Sequence, residues 1–353
     1  MKAALISLGS VSSKWIYEEM KKCFDEVDFL DLRKFEVLID SKEPGVFYEG
    51  EDLGHYDCIY ARGSFKYAEL LRCITDLLVS KGVYMPLAPT VFSDAHDKLL
   101  THLCLQKKGI PMPRTYLVSD IPAAKEMLKQ VKYPIVMKFP KGTHGKGVMF
   151  GESYASSAAM LDAFTALKQP LLIQEFIDTD GVDYRAIVVG GRVVAAMKRV
   201  AAKGENRSNV HAGGKGEPVT LDYKSRIVAI DSAAALKADI LAVDIMIGRK
   251  GPVVLEVNSS PGLQGITEAT KINVASAIAK YLSERTKQKL ESKKPDVMAD
   301  LEIQDVSKQL TTNIKVRGGK IILPEFVTDM TNFREDEELI FEVKDGKLTV
   351  ERL

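Results

Sequence analysis

Asp244 in the run AVDIM, and Glu256 and Asn258 in VVLEVN, are polar side chains set in otherwise apolar segments. In a strand, residues two apart share a face, so Glu256 and Asn258 point together while Leu255 and Val257 turn into packing. The short reversal at residues 248–251 would pair the two runs and bring Asp244 near that face. Two carboxylates and an amide oxygen make a hard-donor set suited to Mg²⁺. The competing reading is a pair of acids on an exposed sheet face. It fits poorly, because a carboxylate embedded in apolar strands is rarely left without a partner.

A second candidate is the loop KFPKGTHGKGV, residues 138–148, which follows a strand-like run. Gly142, Gly145 and Gly147 would let the backbone approach an anion and turn several N–H groups toward it, with Lys141 and Lys146 adding charge. This is a phosphate cradle in outline. It matches neither GxxxxGK[ST] nor GxGxxG, which removes the main support for P-loop and Rossmann dehydrogenase readings. Taken alone, a glycine-rich loop with lysines is more often a mobile surface turn. A third candidate is the basic segment from Lys198-Arg199 through Lys203, Arg207, Ser208, Asn209 and His211 to Gly214, read as lying beyond a strand. Arg207 could spread over the oxygens of a transferring phosphoryl group. A nucleic-acid patch ranks lower, since no aromatics are interleaved to stack on bases. Arg62, at the carboxyl end of a strand-like run over residues 57–62, reads evenly as a ligand contact or a surface salt-bridge partner.

These groups need a scaffold. The first ninety residues alternate short apolar runs with helical stretches, beginning with a strand over 2–8 and a helix through Trp15, Ile16 and Met20, as in a small α/β domain. Pro86, Pro89, Ser93 and Asp94 mark a boundary and the cap of a helix through Leu99, Leu100 and Leu103, closed by Gly109 and Pro111. From 133 to 258 the chain is β-rich and its turns predict antiparallel pairing, with Gly190-Gly191 as a two-residue hairpin signal. Helices are expected over 156–167, 224–237 and 267–285. Residues 286–300 are polar and lysine-rich, a linker or the solvated end of a helix. The tail has strand-like halves at 313–323 and 339–352, with turns at Gly318-Gly319 and Asp345-Gly346; it is too small to bury a core alone.

The 353 residues favour two or three domains. At 46% hydrophobic and 27% charged, the composition excludes wholesale disorder. Lys and Arg number 49 against 48 Asp and Glu, so no global field draws the molecule to nucleic acid or an anionic membrane. No apolar run is long enough for a membrane span or a signal-peptide core, and a cytoplasmic location is expected. Cys23, Cys58, Cys73 and Cys104 lack metal-site spacing and read as reduced core thiols.

In order along the chain stand HDKLLTHLCLQKKGIPMP at 96–113, YPIVMKFPKGTHGKGV at 133–148, LLIQEFI at 171–177 and VDYRAIVVGGRVVAAMKR at 182–199. NRSNVHAGG at 206–214, AVDIM at 242–246 and VVLEVNSSPGLQGI at 253–266 follow. The ordered set resembles the ATP-grasp superfamily and, within it, the RimK-like carboxylate-amine (α-L-glutamate) ligases, over roughly residues 91–285. The resemblance implies an α/β and α+β multidomain chain with an ATP-grasp fold. An N-terminal α/β pre-ATP-grasp domain would cover 1–90, an ATP-grasp domain of two subdomains clasping ATP 91–285, a linker 286–308 and a small β-hairpin module 309–353. It implies ATP contacts from Lys98, Lys138, Gly142, Gly145, Gly147, the Glu175-Phe176 backbone at the adenine, Asp183 near the ribose, and Arg207, Ser208 and Asn209. Lys138, Arg207 and Asn209 would act in catalysis. Asp244, Glu256 and Asn258 match the family's ligands for Mg²⁺, with Mn²⁺ as an alternative.

The activity so implied is ATP-dependent amide formation between a carboxylate, activated as an acyl phosphate, and an amino acid, L-glutamate first. The acceptor would be a protein carboxyl terminus or a small molecule. Relatives continue the RSN element as NLHRGG, and Ala212 replaces that arginine here, leaving the acceptor open. Residues 316–353 resemble the AbrB/MazE-like swapped-hairpin domain. From Gln309 onward seven basic residues face nine acidic ones, which favours dimerisation, and hence a homo-oligomer, over DNA contact. The alternatives are a nucleotide-sensing regulator with a DNA-binding tail and an ATP-grasp kinase acting on a hydroxyl.

Overall fold

The computed structural model describes residues 1–118, 120–139, 148–165, 171–201, 215–293, 315–317, 320–322, 339–344 and 347–352. The apolar run KAALIS forms β1 (Lys2–Ser7), buried from Ala3 onward as a central parallel strand requires. Ser10 then caps α1 (Val11–Met20), its hydroxyl accepting from Ser13 N–H at 3.2 Å. β2 (Glu26–Asp31) follows, then an antiparallel sheet of β3 (Phe35–Leu38), β4 (Gly45–Tyr48) and β5 (Glu51–Asp52). β6 (Cys58–Ala61) completes a parallel sheet in the order β2-β1-β6.

α2 (Ala68–Ser80) leads to α3 (Pro89–Asp94) and α4 (Lys98–Lys107). The cap of α4 is Asp97, which accepts from Leu99 and Leu100 N–H at 2.9 and 3.3 Å; Ser93 and Asp94, expected in that role, lie inside α3. An antiparallel sheet in the order β7-β10-β8-β9 comes next. It is made by β7 (Thr115–Val118), α5 (Ile121–Leu128), β8 (Ile135–Lys138), β9 (Val148–Gly151), α6 (Tyr154–Thr165) and β10 (Leu171–Glu175), the two helices packing with it. Ala124, Leu128, Ile135, Met137, Leu161, Leu171 and Ile173 form its own core.

The third layer contains β11 (Val182–Val189), β12 (Arg192–Val200), β13 (Lys215–Pro218), α7 (Tyr223–Ala235), β14 (Ile240–Gly248) and β15 (Gly251–Asn258). Its strands run in the order β13-β12-β11-β14-β15, antiparallel throughout. Gly190 and Gly191 take φ of +58° and +72° at the β11–β12 turn, and a Cβ on Gly190 would lie 2.3 Å from the Tyr281 ring. Only glycine suits that turn. One continuous core joins this sheet to the parallel sheet across residue 90, running from Ala3 and Tyr60 through Phe92 to Ile240 and Val257.

The single helix expected over 267–285 is two, α8 (Gln264–Thr270) and α9 (Val274–Lys293). Lys271 takes a left-handed φ of +60°, and Asn273 recaps the chain by accepting from Ser276 N–H at 3.0 Å. The apolar periodicity runs on across this break, which is why sequence alone missed it. Residues 286–293 continue α9. Among the described residues no helix is long and apolar enough to cross a membrane. Residues 296–353 form a separate compact unit, in which β16 (Lys315–Arg317) pairs with β17 (Lys320–Ile322) and β18 (Leu339–Lys344) with β19 (Lys347–Arg352). The remainder of the segment read as AbrB/MazE-like, 309–314 and 323–338 included, lies outside the described residues.

Candidate active site

Strand register gathers the chemistry on one face. Asp183 stands opposite Arg199, Arg185 opposite Asp244, Asp244 opposite Glu256, and Ala242 opposite Asn258. A register shift after Asp244 pairs Ile245 with Val254, so Leu255 is the extra residue of a bulge. Asp244, Glu256 and Asn258 therefore share a face at the β14–β15 end of the sheet.

Asp244 is buried, and the interior holds its charge by pairing. Arg185 donates through Nε to Oδ1 at 2.8 Å and through Nη2 to Oδ2 at 2.7 Å, and Arg199 Nη2 reaches Oδ2 at 2.9 Å. Arg199 also forks onto Asp183, with both hydrogen bonds at 2.6 Å. Burial pushes the Asp244 carboxyl up, but the charges of Arg185 and Arg199 and their hydrogen bonds overcome it and hold the group well below the usual carboxylate range. Arg199, read from sequence as part of a basic segment beyond the strand, is instead inside β12 and 3% exposed. Asp183, expected near a ribose, has both carboxylate oxygens on Arg199.

The donor set still fits a hard cation. An ionised carboxylate offers about four lone-pair positions, and the guanidinium groups occupy three on Asp244. Asn258 Oδ1 accepts one hydrogen bond, from Ser260 N–H at 2.9 Å, and keeps a second lone pair. Glu256 is exposed on the same face. Among the described residues no cluster of three His, Cys, Asp or Glu side chains could hold a metal. A cation here would rest on two carboxylates and an amide, leaving positions for phosphate oxygens and water, as Mg²⁺ sites do.

The neighbouring antiparallel sheet supplies cationic charge. Lys138 ends β8, opposite Leu172 and Val148, and is 4% exposed. Burial lowers its pKa to about 8, with the charge of Lys98 adding to the shift and that of Glu256 opposing it. Lys98 opens α4 immediately after the Asp97 cap. One turn on, His102 is buried with neither ring nitrogen in a good hydrogen bond among the described residues; burial, then the charges of Lys138 and Lys98, lowers its pKa to about 4. Sequence reading passed over His102, which looks like one more position on an apolar helix face. Glu175, the last residue of β10, donates its N–H to Arg114 O at 2.8 Å, and the Phe176 ring meets Phe150 edge-on at 6.0 Å. Gly142, Gly145, Gly147, Arg207, Ser208 and Asn209 lie outside the described residues.

Arg62 is no surface salt-bridge partner. It is 4% exposed and donates to three neutral oxygens: Ser13 Oγ at 3.1 Å, Tyr60 OH at 3.2 Å and Pro261 O at 2.7 Å.

Two antiparallel β-layers thus carry the candidate site, one presenting Asp244, Glu256 and Asn258 on a face and the other ending a strand in the buried Lys138. Solved structures agree on the fold. The ATP-grasp ligase PsnB complexed with minimal precursor, Mg and ADP aligns with TM-score 0.64 and 17% identity over 81% of this chain and 98% of its own. D-cycloserine synthetase DcsG aligns with TM-score 0.59 and 16% identity over 81% and 100%. The family model for the RimK-like ATP-grasp domain matches residues 95–282. A probable alpha-L-glutamate ligase from Teredinibacter turnerae is 35% identical over 291 residues, 81% of this chain and 97% of the relative. A probable alpha-L-glutamate ligase 2 from Pseudoalteromonas atlantica is 37% identical over the same shares. The chain belongs to the RimK-like ATP-grasp family. It is an ATP-dependent ligase that joins a carboxylate to an amine.

Proposed function

We propose that this ligase adds L-glutamate, through its α-amine, to a carboxylate acceptor that is a protein carboxyl terminus or a small metabolite. The name of the relatives supports the amino acid. The site assignment is carried by one observation, the alignment of Asp244, Glu256 and Asn258 on one face of the β14–β15 pair. These three would hold Mg²⁺ or Mn²⁺, which when bound supplies Lewis acidity toward phosphate oxygens.

A carboxylate and an amine do not condense at neutral pH, because the leaving group would be oxide. The acceptor carboxylate oxygen must first bond to the terminal phosphorus of ATP as the bond to ADP breaks. The glutamate nitrogen then bonds to the acyl carbon, phosphate leaves, and the nitrogen's surplus proton passes to solvent. The protein's task is to hold charge and exclude water. Lys138 and Lys98 offset phosphate charge from the β8 and α4 ends. Arg185 and Arg199 keep Asp244 ionised and fixed. The Glu175-Phe176 backbone meets the adenine edge, and Gly142, Gly145, Gly147, Arg207, Ser208 and Asn209 complete the grip on the phosphates and acceptor.

ADP and phosphate should appear only when acceptor and L-glutamate are both present, and hydroxylamine should trap a hydroxamate, which a hydroxyl-directed kinase cannot yield. Glu256→Gln and Asn258→Ala should abolish turnover in folded protein. An unchanged rate in either variant removes the metal assignment.

A further inference from the structure

The segment after Asn258, residues 259–263, is gripped by the amino-terminal parallel sheet, nearly two hundred and more residues away in sequence. Arg62 Nη2 donates to Pro261 O at 2.7 Å, and Gly63 N–H donates to Ser260 Oγ at 3.1 Å. Leu263 N–H donates to Ser12 Oγ at 2.8 Å, and that hydroxyl donates onward to Gln264 Oε1 at 2.7 Å. Arg62 is itself fixed by Ser13 and Tyr60. A side chain at Gly63 would force its neighbours aside, since a Cβ there would lie 2.6 Å from Leu71 Cδ1 and 3.0 Å from Leu32 Cδ2. The two residues after β6 and the first turn of α1 thus clamp a five-residue loop whose Ser260 N–H holds Asn258 Oδ1.

That last bond matters because a primary amide has two unlike ends. With Oδ1 held by Ser260 N–H, the second lone pair remains for a cation and the NH₂ is turned aside. Rotated by half a turn, the same side chain would present two donors and repel it. We infer that Arg62 and Ser260 are positioning residues that fix the amide of Asn258 with its oxygen toward the cation, so that the amino-terminal sheet sets the affinity of the metal site. This rests on the reading of Asn258 as a metal donor.

The test is direct titration of the ADP-loaded protein with Mn²⁺, followed by loss of the free-ion electron paramagnetic resonance signal. Groups that orient a metal ligand typically contribute about 10- to 100-fold in affinity. Ser260→Ala, which loses the Gly63 bond, should weaken Mn²⁺ by about tenfold, the low end of that range, with an unchanged ligand-free unfolding midpoint. Ser260→Thr, which keeps the hydroxyl, should restore the parent affinity. Arg62→Gln addresses the other end of the clamp and should also weaken Mn²⁺.

Parent affinity in folded Ser260→Ala, or a loss that Ser260→Thr does not restore, overturns the inference. Asn258→Ala separates the two levels of the argument. If that variant binds Mn²⁺ as the parent does, the metal reading itself fails. If it binds weakly while Ser260→Ala and Arg62→Gln bind normally, the metal reading stands and only the clamp falls.

Discussion

Two buried cationic regions meet at this site and are built on opposite plans. On the five-stranded sheet, Arg185 and Arg199 are forked onto Asp244 and Asp183, and each charge is answered within the fold. On the four-stranded sheet, Lys138 is as deeply buried as Arg199, but desolvation and the like charge of Lys98 outweigh the pull of Glu256. The first region resembles a finished structural joint. The second holds charge under electrostatic tension that a polyanion would relieve. Burial alone therefore does not tell structure from function; what distinguishes them is whether opposite charge outweighs desolvation, as it does at Asp244 and does not at Lys138.

Removing one member of each region should give opposite outcomes in stability. Arg199→Leu removes the forked partner of Asp183 and one of the two guanidinium groups on Asp244, and breaking a buried ion pair from one side costs about 3–5 kcal/mol. A fall of that size in the unfolding free energy, read from denaturant midpoints, is expected. A loss under about 1 kcal/mol, the range of surface pairs, would erase the distinction. Lys138→Met removes a charge whose pKa is lowered from 10.5 to about 8. At neutral pH its stability should hold or rise, by at most roughly 3 kcal/mol, while turnover falls by a factor of about 10² to 10³. A variant that loses stability and keeps its rate would make Lys138 the structural group and reverse the comparison.

The strand pair and the shared face of Glu256 and Asn258 are legible in the sequence, because period-two spacing is a local signal. It carried much less of the ion network. Asp183 and Arg185 are two apart in a strand, a pattern as local as Glu256 and Asn258, but their meaning depends on strands β12 and β14, which register alone supplies. Arg199 was misread for that reason: next to Lys198 it looks like the start of a basic run, yet the two residues face opposite sides of β12. The clamp on residues 259–263 was out of reach, since Arg62 and Pro261 are 199 positions apart. The α8–α9 break shows the converse limit, where one left-handed residue interrupts a periodicity that looks continuous.

The smallest effect separates the regions by pH. His102 belongs to the lysine side, and its folded pKa of about 4 lies below the ordinary 6.5 because burial and the charges of Lys138 and Lys98 disfavour the imidazolium. Above pH 6.5 the imidazole is neutral in folded and unfolded chains, and its full contribution is present. Between 6.5 and about 4 the unfolded chain takes up a proton that the fold refuses, so stability falls as pH falls, by an amount of the order of 3 kcal/mol across that window. Lys138 keeps its proton throughout this range and adds nothing to the slope. His102→Leu should match or slightly exceed the parent at pH 7, since it replaces with apolar surface a buried imidazole whose ring nitrogens have no good hydrogen bond among the described residues. At pH 5 the variant should be the more stable of the two by about 2 kcal/mol. Urea midpoints of both proteins at the two pH values measure the difference directly, and carboxylates such as Asp244 contribute equally to each and cancel. Parallel losses in parent and variant would show that the imidazole takes a proton in the folded state, and that the lysine side is better compensated than its burial implies.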